Sequence, residues 1–272
     1  MRKILIHGTN LIVICLLIAN RFTLANSSLH SQALQGVPYQ IEMRNAVLIG
    51  NATCAIACIN VVGCDGQTSL TYDGREYDLV EIGGQCWFIE NLATDQYRNG
   101  DPIPTGLDSS AWQNTTSGAY AIYNNDPAND ANYGKLYNWF TTVDSRGICP
   151  TGWHVPTDCD WMYLEGNLGI SLTDQEMVGD RGTNEGGMLK SMIGWNLPNA
   201  GATNSIGFSA LPGGYRSSFG SYSLIGYYGQ WWSSAEIDSD FAWNRELYHG
   251  NAYLNREGNY KQDGFSVRCV RD

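Results

Sequence analysis

Cys149-Pro-Thr-Gly-Trp-His-Val-Pro-Thr157, read with Gly264-Phe-Ser-Val-Arg-Cys-Val-Arg-Asp272, decides what kind of fold this chain has. Each stretch puts a cysteine and an aromatic residue at the edge of a structural element, as in a small exported domain whose distant segments are tied by disulfides. After the first stretch, Thr157 is suited to cap a helix. Asp160 is its reciprocal partner at the third position, and Trp161, Leu164 and Leu168 continue an apolar stripe. Asp158, Asp160 and Glu165 have the chemistry of catalytic carboxylates, but capping and complementarity to the helix dipole account for the first two without catalysis. In the second stretch Phe265, Val267 and Cys269 share a strand face, where a disulfide to an earlier loop would lie.

Working outward, residues 69–89 read as a β-meander with Asp73-Gly74 and Gly83-Gly84 as its turns. Leu136, Trp139, Phe140 and Val143 fall on one face of a predicted helix over 136–143, which should be core. A shorter helix is expected over 187–193. Beyond it, glycine-punctuated strands dominate. Strand alternation in 241–248 puts Phe241, Trp243, Arg245 and Leu247 on one face, and His249-Gly-Asn251 makes a hairpin turn into 252–256.

Arg2 and Lys3 precede the apolar run Leu11-Ile-Val-Ile-Cys-Leu-Leu-Ile-Ala19, and Thr23-Leu-Ala25 offers a small-residue cleavage pattern. Residues 1–25 therefore read as a secretory signal. The run is short of the ~20 residues a membrane span needs, and no later one is long enough, so no span is expected in the mature chain. Cys15 follows Ile14 rather than a small residue, which argues against a lipid anchor. Residues 26–63 read as an extension or linker bearing Cys54 and Cys58, and residues 64–272 as one domain. The net charge is −11 and the basic residues are scattered, which disfavours nucleic acid as a partner. With Gly 31, Trp 9 and Tyr 16, the composition describes a loop-rich domain packed around aromatic rings. Beyond Cys15, the cysteines suit disulfides better than zinc, since no second knuckle completes the spacing of Cys54 and Cys58.

Several ordered blocks then carry a family resemblance. They are Thr71-Tyr-Asp-Gly-Arg-Glu-Tyr-Asp-Leu-Val80, Ile82-Gly-Gly-Gln-Cys-Trp-Phe-Ile-Glu-Asn-Leu92, Tyr133-Gly-Lys-Leu-Tyr-Asn-Trp139, Ile148 to Thr157, Gly207-Phe-Ser-Ala-Leu-Pro-Gly-Gly-Tyr-Arg216, Trp231-Trp-Ser-Ser234 and Gly264 to Val270. Over residues 64–272 the chain resembles the Fibrobacter succinogenes major paralogous domain of exported bacterial proteins. The resemblance implies an α+β, C-type-lectin-like fold of antiparallel strands with two or three short helices, akin to the formylglycine-generating-enzyme group. That group's oxidase activity would need a redox-active cysteine pair near the C-terminal strands. Only Cys269 follows Cys159, so the activity does not carry over. Cys149 is expected to pair with Cys269, Cys64 with Cys86 and, more weakly, Cys54 with Cys58. Cys159 stands where the family resembles Ala or Gly and is expected to be a buried free thiol.

No two histidines are spaced as a metal or catalytic pair, and His154, between Trp153 and Val155, reads as structural. Asp126, Asn129, Asp130 and Asn132 offer oxygens to calcium, but their spacing fails the EF-hand template and an Asx-rich turn explains them more simply. No other cofactor is implied. The most suggestive surface runs from Trp231 to Lys261: Tyr and Trp give contact area at low entropy cost, and small polar residues adapt their hydrogen bonds. Tyr228, Trp232, Asn244, Tyr248, His249, Asn251, Tyr253, Asn255 and Tyr260 are the candidate ligand-binding residues. The expected function is an exported, non-catalytic binding or adhesion module for a glycan or protein at the surface. The alternative is a structural component of an envelope or extracellular assembly, and an enzyme of unknown type ranks last.

Overall fold

The computed structural model describes residues 61–272. Its meander is β1 (Ser69–Tyr72), β2 (Arg75–Ile82) and β3 (Gln85–Phe88), paired antiparallel. Asp73, Gly74, Gly83 and Gly84 all have positive φ, as the tight hairpin turns between these strands require. β3 also pairs with β14 (Val270–Arg271), which pairs in turn with β6 (Trp153–His154). The two stretches that open the sequence reading thus lie side by side at one edge of a five-stranded sheet, order β1-β2-β3-β14-β6.

A second five-stranded sheet has the order β4-β5-β13-β8-β9, built from β4 (Tyr120–Ala121), β5 (Leu136–Asn138), β13 (Gly264–Phe265), β8 (Tyr215–Arg216) and β9 (Tyr222–Ser223). A four-stranded sheet has the order β10-β11-β12-β7, from β10 (Tyr228–Glu236), β11 (Phe241–Tyr248), β12 (Leu254–Tyr260) and β7 (Gly179–Arg181). All pairings between these strands are antiparallel. The α-helices are α1 (Ser109–Asn114), α2 (Pro127–Tyr133), α3 (Trp139–Thr142), α4 (Asp158–Leu168), α5 (Leu172–Gln175) and α6 (Glu185–Leu189). The class is α+β. Among the described residues no helix is long and apolar enough to cross a membrane.

Helix α4 starts as expected: Thr157 Oγ1 accepts from the Asp160 backbone, and the Asp160 carboxylate accepts from the Thr157 N–H. Two other expectations are corrected. Residues 136–143 are not one helix but β5 followed by the single turn α3, because Leu136 and Tyr137 are held in ladders with β4 and β13. Val143 consequently lies 43% exposed instead of in the core. The helix expected over 187–193 is α6, and it stops at Lys190, which is extended. Its Gly186 permits close packing, since a Cβ there would lie 2.0 Å from the Tyr253 carbonyl oxygen.

Tyr77, Phe88, Trp153, Trp232, Phe265, Val267 and Cys269 belong to one core cluster, while Trp87, Trp161, Phe208, Trp231 and Leu247 belong to another. Neighbouring Trp231 and Trp232 enter different clusters because successive strand side chains point to opposite faces. Cys149–Cys269 and Cys64–Cys86 are both bridged. Cys159 is itself disulfide-bonded, so the expected free thiol is corrected. The signal segment and the Cys54–Cys58 pair fall outside the described residues, as does the extension up to residue 60.

Candidate ligand-binding face

Alternation along β10, β11 and β12 gives the four-stranded sheet two unlike faces. Trp231, Arg245, Leu247, Leu254 and Arg256, with Arg181 from β7, are buried on the inner face. There Arg245 bonds Asp158 and Glu165, Arg181 bonds Glu165 and Arg256 bonds Asp158, so buried charges from the sheet meet buried charges from α4. Burial pushes the Asp158 carboxyl up, but Arg245 and Arg256 outweigh this and hold it below the usual carboxylate range. These carboxylates anchor a helix. Asp160 is occupied in the same way by Thr157 and His154, and Asp272 lies 2.6 Å from the other His154 ring nitrogen. Burial lowers the His154 pKa, and the two carboxylates outweigh burial and raise it.

The outer face is polar at one end, while Trp232 and Ala242 at the other end are buried in the core cluster of Phe265. Gln230, Glu246, Asn255 and Asp180 are register partners across β10, β11, β12 and β7. Tyr228 and Tyr248 form the adjoining pair on one side, and Asn244 opposite Glu257 lies on the other. Gln230 Nε2 donates to Glu246 Oε2 at 2.7 Å, Asn255 Nδ2 to Asp180 Oδ1 at 2.9 Å, and Asn259 Nδ2 to Asn244 Oδ1 at 2.9 Å. Gln230 Oε1, Asn255 Oδ1 and Asn244 Nδ2 are buried without a hydrogen-bond partner. Burial pushes the Glu246 carboxyl up to about 7, helped by Glu257 and Asp180 and opposed by the bond from Gln230. The half-buried Tyr228 and Tyr248 rings lie 4.7 Å apart, and His249 stands edge-on to Tyr248 at 4.5 Å.

The 249–253 loop at the rim is tied down by a cation. Lys190 Nζ donates to the carbonyls of Ala200 at 2.7 Å, Asn251 at 2.8 Å and Tyr248 at 3.2 Å, and lies 5.4 Å from the Trp195 ring. Burial pulls its pKa down to about 8. In Lys190→Met those carbonyls lose their donor, and amide exchange in the 249–253 loop is expected to quicken by about tenfold, a local cost of about 1.4 kcal/mol. Unchanged protection by hydrogen-exchange mass spectrometry would sink this assignment.

The structure brings together Tyr228, Tyr248 and Asn255 on the outer face, with His249, Asn251 and Tyr253 at its rim. Asn251 Nδ2 reaches Asp180 Oδ2 at 3.4 Å. Asn244 lies on this face but is fully buried. Trp232 is corrected as a contact residue: it is 0% exposed, its Nε1 donates to the Tyr137 carbonyl, and its ring packs 4.4 Å from Phe265. Tyr260 is also separate. It stacks on Phe241, seven residues along β11 from Tyr248 and so ~23 Å away, on the opposite face parity. The calcium candidates are folded into a capped helix. Asp126 accepts from Ala128 N–H, Asp130 pairs with Lys135 at 2.9 Å, Asn129 donates to the Tyr123 carbonyl, and Asn132 is exposed on α2. Sequence reading missed Gln230 and Glu246, which the same alternation that selects Tyr228 and Tyr248 would have found. Asp180, Glu257 and Lys190 carried no local signal.

No curated protein and no solved structure matches the chain. The family model described as the Fibrobacter succinogenes major domain matches residues 80–271, a span that takes in both sides of the β3-β14 pairing and the whole of the candidate face. On that match the chain belongs to the Fibrobacter succinogenes major domain family.

Proposed function

We propose that the protein is an exported, non-catalytic binding or adhesion module, built on a C-type-lectin-like scaffold, that takes a glycan on the outer face of the β10-β11-β12-β7 sheet. One observation carries this reading: Gln230 Oε1 and Asn255 Oδ1 are buried and unpaired on the face that holds the Tyr228–Tyr248 pair. Buried polar atoms are nearly always paired, so a group of unpaired ones beside accessible rings is a surface made to be completed by a ligand. A sugar ring supplies what is needed, hydroxyls for the polar atoms and a C–H face for the tyrosines. The Cys64–Cys86 and Cys149–Cys269 bridges and the disulfide-bonded Cys159 fit an oxidising compartment and support export.

Glycan arrays followed by calorimetry test the reading. Tyr248→Ala and Tyr228→Ala are each expected to weaken binding by about tenfold, the loss of roughly one aromatic contact, while Tyr260→Ala leaves it unchanged. A blank array for the wild type, or equal binding by all three variants, overturns it.

A further inference from the structure

The outer face is a one-sided hydrogen-bonding surface. Its amide donors are largely spent internally: Gln230 Nε2 on Glu246, Asn255 and Asn251 Nδ2 on Asp180, and Asn259 Nδ2 on Asn244. What is left over is mostly acceptor. Gln230 is only 6% exposed, and with its Nε2 fixed on Glu246 its unpartnered Oε1 is held in the same row. Asn255 Oδ1 is spare in the next strand, and the carboxylates of Glu246, Glu257 and Asp180 surround both. The sheet's arginines, Arg181, Arg245 and Arg256, are all committed to carboxylates on the inner face. An ammonium group has three donors and no acceptor, so it matches this row better than a hydroxyl, which brings lone pairs as well. Tyrosine rings beside it add cation–π attraction.

We infer that the ligand is a glycan bearing a free amine, an amino sugar whose ammonium sits over the Gln230-Glu246-Asn255-Asp180 row while its ring rests on Tyr228 and Tyr248. This rests on the glycan-binding reading and narrows it to a substrate class. Anionic glycans are repelled by the same carboxylates, and N-acetylation removes the charge and two of the donors. Titration sharpens the expectation. Glu246 faces Gln230 and Tyr228 on β10, Tyr248 on its own strand, Asn255 and Glu257 on β12, and Asp180 on β7, and its carboxyl is pushed up to about 7. It therefore loses its charge as pH falls through neutrality, and the preference for an amine that is still protonated shrinks from about pH 7 to about pH 5.

Calorimetry on the full-length protein compares a glucosamine oligomer, its N-acetylated counterpart, a neutral glucose oligomer and a short lysine-rich peptide. The glucosamine oligomer is expected to bind about tenfold more tightly than the other two glycans, the scale of one charge-assisted contact. Glu246→Gln is isosteric and Asp180→Asn changes an exposed residue, and each is expected to reduce that preference. If N-acetylated or neutral oligomers bind as well as the amine, the amine assignment falls and glycan binding stands. If no glycan binds, both fall. Binding of the lysine peptide alone overturns the inference in favour of a protein ligand.

Discussion

Glu165→Ala is expected to destabilise the domain by about 3–5 kcal/mol, the range for breaking a buried ion pair from one side. Glu165 is fully buried and serves two guanidinium groups: Arg181 donates to both its oxygens, at 2.6 and 3.0 Å, and Arg245 donates through Nε. Alanine leaves Arg181 with only the Gln175 carbonyl and Arg245 with Asp158, which Arg256 already shares. Arg245→Met is expected to cost less, because Glu165 keeps Arg181, Asp158 keeps Arg256 and the methionine fills much of the volume. Urea denaturation of the two variants checks both size and order. A loss below about 1 kcal/mol for Glu165→Ala, ordinary for a surface substitution, would mean that the network does not hold α4 to the sheet.

The parts of this fold that were legible in the sequence are local. The Thr157 and Asp160 cap, the Asp73-Gly74 turn and the alternation along β11 each depend on residues within one turn or one strand, where spacing fixes geometry. The expectation failed where a distant ladder decided the outcome. Leu136 to Val143 has a helical period, yet its first three residues pair with β4 and β13, the latter more than a hundred positions along the chain. The candidate face divides the same way. Tyr228 and Tyr248 were legible as aromatic residues in a suitable segment, whereas Trp232 looked equivalent and is buried, because β10 is covered on both sides near its middle. Asp180 joins the row only through the pairing of β7 with β12, which no neighbouring residue announces. Lys190 is still less visible, since its partners are carbonyl oxygens, which every residue has.

Replacing both Cys149 and Cys269 by alanine is expected to lower stability by up to ~5 kcal/mol, against up to ~3 kcal/mol for the Cys64 and Cys86 pair, because chain entropy released on reduction grows with the loop closed. The sequence separations are 120 and 22. Exchanging both members of a pair avoids leaving one thiol to form a wrong bridge. The longer bridge joins the segment before β6 to the segment before β14, and both cysteines are buried in the core cluster of Phe88, Trp153 and Phe265. It therefore holds the edge of the first sheet, whereas the candidate face belongs to the four-stranded sheet, which is held to α4 by the ion pairs. Loss of the bridge should move the unfolding midpoint strongly while the remaining folded protein binds its ligand with unchanged affinity. Equal losses for the two double variants would refute the entropic ordering. A loss of affinity in the folded fraction of the Cys149 and Cys269 variant would show that this bridge positions the face as well as closing the domain.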